Sequence, residues 1–104
     1  MNIPTIENIH NSILNAVSQP KALDMSDWHT CNTTHCRAGW VVTLAGEKGK
    51  KLEQQTDTGF AAMQIYKKSS NIKVPLSRFF DDNKKAMADI IRCAAEETNQ
   101  KENP

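Results

Sequence analysis

The stretch Trp28-His29-Thr30-Cys31-Asn32-Thr33-Thr34-His35-Cys36-Arg37-Ala38-Gly39-Trp40 decides how this chain is read. It gathers both tryptophans, two of the three cysteines and two of the three histidines of the sequence. Its second half has helical spacing. Thr33 or Thr34 can cap a helix by accepting hydrogen bonds from the amides of the first turn. Trp40 and Leu44 then follow Cys36 on one side, with Val41 and Ala45 adjoining. Ala38 and Gly39 remove bulk where another backbone can approach. Glycine inside a helix costs about 1 kcal/mol relative to alanine, so Gly39 implies close packing. The reading is a structural knot in which Trp28 and Trp40 bury large area, Cys36 fills a small gap and Gly39 admits a neighbour.

Outward from this stretch the chain reads as all-helical. Thr5, after Pro4, opens a first helix whose apolar stripe is Ile6, Ile9, Ile13, Leu14 and Val17, and Pro20 ends it. Leu23 and Met25 sit in an irregular segment with Asp24, Ser26 and Asp27. Gly46 stops the helix that carries Trp40, and Lys48 to Gln55 forms a short helical piece carrying Leu52. Thr56 or Asp57 caps the next helix, with Phe60, Ala61, Met63 and Gln64 on its inner face, Tyr66 a further candidate there, and Ser69-Ser70-Asn71 at its end. Residues 72–76 are extended because Pro75 disfavours helix at Val74, and with no second strand to pair they form a linker. Phe79 and Phe80 anchor the chain before Asp81 or Asp82 caps a last helix striped by Met87, Ile90, Ile91 and Ala94. The fold class is therefore all-α, a compact single-domain bundle of four or five short helices spanning residues 1–104. Its ordered core runs over about residues 4–97, with a frayed polar tail at 98–104.

Composition narrows the function classes. The 104 residues suffice for one core, and 38% hydrophobic with 24% charged residues lies in the globular range. A net charge of +1 gives no bulk attraction to nucleic acid or to an anionic membrane. The start of the chain lacks a signal peptide's basic and apolar regions, and no segment is long and apolar enough for a membrane span, so a cytoplasmic protein is expected. The cysteines then read as thiols or ligands rather than as a disulfide framework, although a Cys31–Cys36 bridge is sterically conceivable.

Three chemistries compete for the central stretch. His29, Cys31, His35 and Cys36 offer the four nitrogen and sulfur ligands of a zinc site, with Cys93 or His10 as distant substitutes. Against this, all four fall close together in sequence, and His35 and Cys36 diverge by about 100° if both are helical. Alternatively, Cys36 in a first helical turn, or Cys31, can serve as a thiolate, with His29 or His35 as base, Asp24 or Asp27 to orient it and Arg37 adding positive charge. The third reading is purely structural. Elsewhere, the run from Ala45 to Lys50 does not follow a strand and does not fit a phosphate loop, and Asp81-Asp82 is better explained as a cap. His10 sits beside Ile9 and Ile13 as a core-edge residue.

The pattern Trp28-His29-Thr30-Cys31-x-Thr33-Thr34-His35-Cys36-Arg37-Ala38-Gly39-Trp40-Val41-Val42-x-Leu44-Ala45-Gly46-Glu47 resembles the core of a family of small uncharacterised proteins found in phages, prophages and bacterial genomes. The resemblance continues through Leu52-Glu53, Ala61-Ala62-x-x-Ile65-Tyr66, Val74-Pro75, Phe79-Phe80 and Asn83-x-x-Ala86-Met87-Ala88-Asp89-Ile90, covering most of residues 24–97. Many members carry Cys-Gly where this chain has Cys31-Asn32, and asparagine also tolerates positive φ. The resemblance implies a phage or mobile-element setting and brings no activity, cofactor or site. With no reaction indicated, the expected function is a non-catalytic accessory protein that binds a protein partner. A Cys/His metal-binding domain and a thiol-dependent enzyme or redox protein are the alternatives.

Overall fold

The stretch from Trp28 to Trp40 divides at Cys36 into a hairpin and a helix. A computed structural model describes residues 2–103. In chain order its elements are α1 (Ile9–Val17), β1 (His29–Cys31), β2 (Thr34–His35), α2 (Arg37–Leu44), α3 (Gly46–Gln55), α4 (Thr58–Ser69), a 3-10 helix (Leu76–Phe80) and α5 (Asn83–Glu102). The architecture is an all-α bundle carrying one small antiparallel hairpin, in which His29 pairs with His35 and Cys31 with Thr34. α1 packs on α5, α2, α3 and α4 pack against one another, and the 3-10 helix rests on α4.

The hairpin corrects the expected helix start at Thr33 or Thr34. The His35 amide donates to the Ala22 carbonyl at 3.1 Å, and its carbonyl accepts from the Asp24 amide at 3.1 Å. Both polar groups of that backbone are thus committed to pairing with an earlier segment, so helical bonding begins only afterwards. The Thr34 hydroxyl donates to the Lys21 carbonyl instead of capping. Cys36 takes the cap position in an extended conformation, and its sulfur accepts from the Gly39 amide at 3.3 Å. Asn32 turns the hairpin without positive φ; the non-glycine residues with positive φ among those described are Asn8 and Lys21.

One other helix boundary depends on a distant residue. Thr5 does not cap α1, which starts after Asn8, a residue with φ 52° and no side-chain cap. The first amides of α1 are satisfied by α5: the amides of His10 and Asn11 each donate to the Glu97 carboxylate at 3.0 Å, and the Asn11 side chain adds a 2.7 Å bond. Burial opposes ionisation of Glu97, but these donors outweigh it and hold the carboxyl below its ordinary pKa. The tail expected to fray from residue 98 is instead the last turns of α5, which continues to Glu102. Asp57 and Asp82 cap α4 and α5 through 2.7 and 2.8 Å bonds from the amides of Phe60 and Lys85. Gly46, at φ 71°, turns the chain between α2 and α3.

The core joins Ile9, Ile13 and Val17 to Val41, Val42, Leu52, Ile65, Tyr66, Phe79 and Ile90, with Ile72 and Val74 pinning the extended linker. Three residues expected inside lie outside: Trp28, Phe80 and Ile91 are exposed. In their place the interior holds a charge. Arg37, fully buried, donates to Asp89 at 2.7 Å and to the Tyr66 hydroxyl at 3.0 Å, while its guanidinium carbon sits 5.4 Å from the Tyr66 ring centre. Asp89 also receives Arg92 at 2.9 Å and Arg78 at 3.5 Å. Burial alone would raise the Asp89 pKa, but the bonds from Arg37 and Arg92 dominate and hold it low. Arg37 therefore points into the bundle, onto Asp89, Tyr66 and the buried Cys93, rather than toward the thiol of Cys31 or Cys36. His10 is likewise fully buried, not at the core edge. It stacks on Tyr66, and burial lowers its pKa.

Candidate functional site

The hairpin and α3 enclose a recess of about 480 Å³ lined by His29, Cys31, Asn32, His35, Lys50 and Glu53, with Val42, Thr43 and Gln54. The fold thus brings together three of the four sequence candidates, His29, Cys31 and His35. Cys36 is excluded, which corrects its grouping with them. Its thiol is buried at the start of α2, bonded to the Gly39 amide, and burial pushes its pKa up. The distant candidates are excluded too, since Cys93 lies against Arg37 and His10 against Tyr66. Asp24 bonds to Ser26 and Thr30 rather than orienting a histidine. That role falls to Glu53 of α3.

Hydrogen bonds orient both imidazoles in the recess. His35 Nε2 lies 3.1 Å from the Asn32 carbonyl, which can only accept, so Nε2 carries hydrogen. His29 Nε2 lies 2.7 Å from the Glu53 carboxylate, itself steadied by a 2.7 Å bond from the Thr58 hydroxyl. The two Nδ1 atoms then face one another at 2.7 Å, with the rings crossed at 85°. Two neutral imidazoles donating through Nε2 would direct two lone pairs into that contact. The Nδ1–Nδ1 contact is satisfied by a hydrogen between the two rings or by a cation bound to both. His35 is wedged edge-on against Trp40 at 4.7 Å between ring centres, and its burial lowers its pKa.

Cys31 is the accessible thiol. Hydrogen bonds from Thr34 and Thr33 lower its pKa to about 7, whereas burial raises those of Cys36 and Cys93. All three cysteines are free, so the conceivable Cys31–Cys36 bridge is not formed. Among the described residues the Cys31 sulfur meets the Thr33 hydroxyl at 3.6 Å, with no imidazole hydrogen-bonded to it. Chelator-treated folded protein is expected to take one equivalent of an alkylating reagent, at Cys31, with a rate half-maximal near pH 7. Cys36 and Cys93 should react only after unfolding. Mass spectrometry of modified peptides checks this, and equal labelling of Cys36 in the folded state would contradict its burial.

A second surface adjoins the recess across Glu53. Trp28, Phe60, Met63, Leu76 and Phe80 line a groove of about 690 Å³, with Asp57 and Glu53 at its edge. Trp28 and Phe80 meet edge to face at 6.1 Å. They are 37% and 71% exposed, and Leu76 is 45% exposed. Sequence patterning assigned Trp28 and Phe80 to the core, because bulk and apolarity alone do not say which face of a turn is covered. Glu53 entered the sequence reading only within the Leu52-Glu53 pair of the resemblance, since by itself a glutamate on a short charged helix reads as solvated surface.

Among the described residues, no helix is long and apolar enough to cross a membrane. No family model, curated protein or solved structure matches the chain.

Proposed function

We propose that this protein is a non-catalytic binding module, an accessory protein of the type its resemblance to small phage and prophage proteins implies. Its partner is a protein segment presenting one bulky apolar side chain beside a lysine or arginine. The observation that carries this reading is the groove of Trp28, Leu76 and Phe80, where large apolar side chains stay in water although the bundle has an interior to hold them. An exposed aromatic pair with a carboxylate rim is the composition of a binding hot spot: aromatic anchors supply the energy and flanking charge supplies selection. Asp57 is exposed at the rim, with one carboxylate oxygen spent on capping α4. The other remains to receive a cation.

A peptide array that varies one anchor (Leu, Phe or Trp) and one neighbouring charge tests the reading. Peptides pairing an apolar anchor with lysine or arginine are expected to bind, and those with glutamate beside the anchor are not. Phe80→Ala should weaken the best binder roughly 30-fold, the effect of a hot-spot truncation near 2 kcal/mol. Because that ring is largely exposed, the variant should melt with the parent. Binding that ignores both the neighbouring charge and Phe80→Ala would end the proposal.

A further inference from the structure

The recess between the hairpin and α3, which shares Glu53 with the groove, gathers two imidazoles and a thiol. We propose that His29 and His35 ligate a divalent transition ion of the zinc type through their Nδ1 atoms, with Cys31 as third protein ligand. Metal-bound histidines characteristically donate their other ring N–H to a carboxylate or a backbone carbonyl, which fixes the tautomer and turns the free lone pair toward the ion. Both rings already do so: His29 Nε2 is held by Glu53 and His35 Nε2 by the Asn32 carbonyl. The Glu53 carboxylate is in turn held by the Thr58 hydroxyl, so the outer layer of the site is built in advance.

What the rings share is geometry: their Nδ1 atoms face one another at 2.7 Å across the recess. An ion with Zn–N bonds of about 2.0–2.1 Å in tetrahedral geometry sets the two nitrogens about 3.3 Å apart, a widening of about 0.6 Å. His29 lies on an exposed strand of a short hairpin and can move that far, whereas His35 is fixed by Trp40 and by backbone pairing on its strand. As the side chains stand, no three His, Cys, Asp or Glu residues among those described converge on one point. Completion of the site therefore requires the exposed Cys31 thiol to rotate from Thr33 into the recess it already lines. The ion takes the place of hydrogen between the two Nδ1 atoms, the thiol proton leaves to solvent, and a fourth position is left to water. Imidazole with thiolate selects zinc, cobalt, nickel or copper over magnesium and calcium.

The test is titration of the chelator-treated full chain with Co2+, then with Zn2+. One equivalent of Co2+ should bind saturably, with visible ligand-field bands and a near-ultraviolet thiolate-to-cobalt band, and Zn2+ should bleach both. Cys31→Ser should remove the thiolate band and keep the ligand-field bands. Glu53→Gln should keep the stoichiometry and weaken affinity roughly 10- to 100-fold, as loss of an outer partner does. His29→Ala should abolish saturable binding; its side chain is partly exposed, so its circular dichroism should match the parent's. Should that variant misfold, 15N-imidazole spectra of the unaltered protein provide the second readout, with both Nδ1 resonances shifting on addition of Zn2+. Absence of saturable binding, binding that persists in His29→Ala, or unmoved Nδ1 resonances overturns the proposal. These outcomes are read without reference to any peptide partner.

Discussion

Asp89→Ala is expected to cost the fold about 5 kcal/mol, and Arg37→Met about 3 kcal/mol, spanning the range for removing one partner of a buried ion pair. Domains of this size have total stabilities of about 5–15 kcal/mol, so either variant should approach unfolding. The asymmetry follows from what each replacement leaves behind. Without Asp89, the guanidinium of Arg37 stays fully buried with only a tyrosine hydroxyl and a cysteine sulfur for company, and arginine cannot shed its proton. Without Arg37, Asp89 still has Arg92 and the more distant Arg78. The double variant Arg37→Met with Asp89→Leu should recover most of the loss, because an apolar pair of similar volume avoids the desolvation of two charges. Urea titrations of the parent, both single variants and the double variant measure the coupling. Single losses below 1 kcal/mol would mean that the buried pair contributes little beyond packing.

Gly39→Ala is expected to be strongly destabilising in a place where helix propensity alone forecasts the opposite. Alanine is favoured over glycine in a helix by about 1 kcal/mol. At this position, however, a Cβ would drive into the Trp28 carbonyl oxygen and sit 3.0 Å from the His35 Cβ. The Trp28 carbonyl cannot simply withdraw, because it accepts the Cys36 amide at 3.2 Å and so joins the hairpin to the start of α2. Overpacking against fixed backbone costs 1–3 kcal/mol and more where nothing can yield, so we expect a net loss of about 3 kcal/mol. Thermal unfolding decides between the two signs. At Gly46 the relation reverses: a Cβ would meet nothing within 4 Å, and the constraint is a φ of 71°.

Both predictions concern residues whose roles were legible to different degrees in the sequence. The need for close approach at Gly39 could be read from a glycine in the middle of a helical pattern, though not that the neighbour was the carbonyl of Trp28. The caps were readable to within one residue, as Thr56 or Asp57 and Asp81 or Asp82, because an N-cap acts on amides three residues on; Asp57 and Asp82 fill them. By contrast, Thr33-Thr34 imitates a cap, and only the pairing of His35 with Ala22 and Asp24 moves the helix start to Cys36. Arg37 beside Asp89 and Glu97 beneath α1 escaped for the same reason: each charge is buried by a partner far along the chain. Within the candidate site, the clustering of His29, Cys31 and His35 was visible as composition. The exclusion of Cys36 and the entry of Glu53 were not, since both depend on how the hairpin folds over α3.

The carboxylate that caps α1 also bears on how the protein is made. A nine-residue helix with no local cap is marginal in water by itself. Its missing acceptor arrives 87 residues later, on the far part of α5. During synthesis α1 therefore has nothing to close it until the chain has been made through Glu97. Its apolar stripe stays open while residues 18–96 are added, and docking of α1 against α5 comes late in the birth of this bundle.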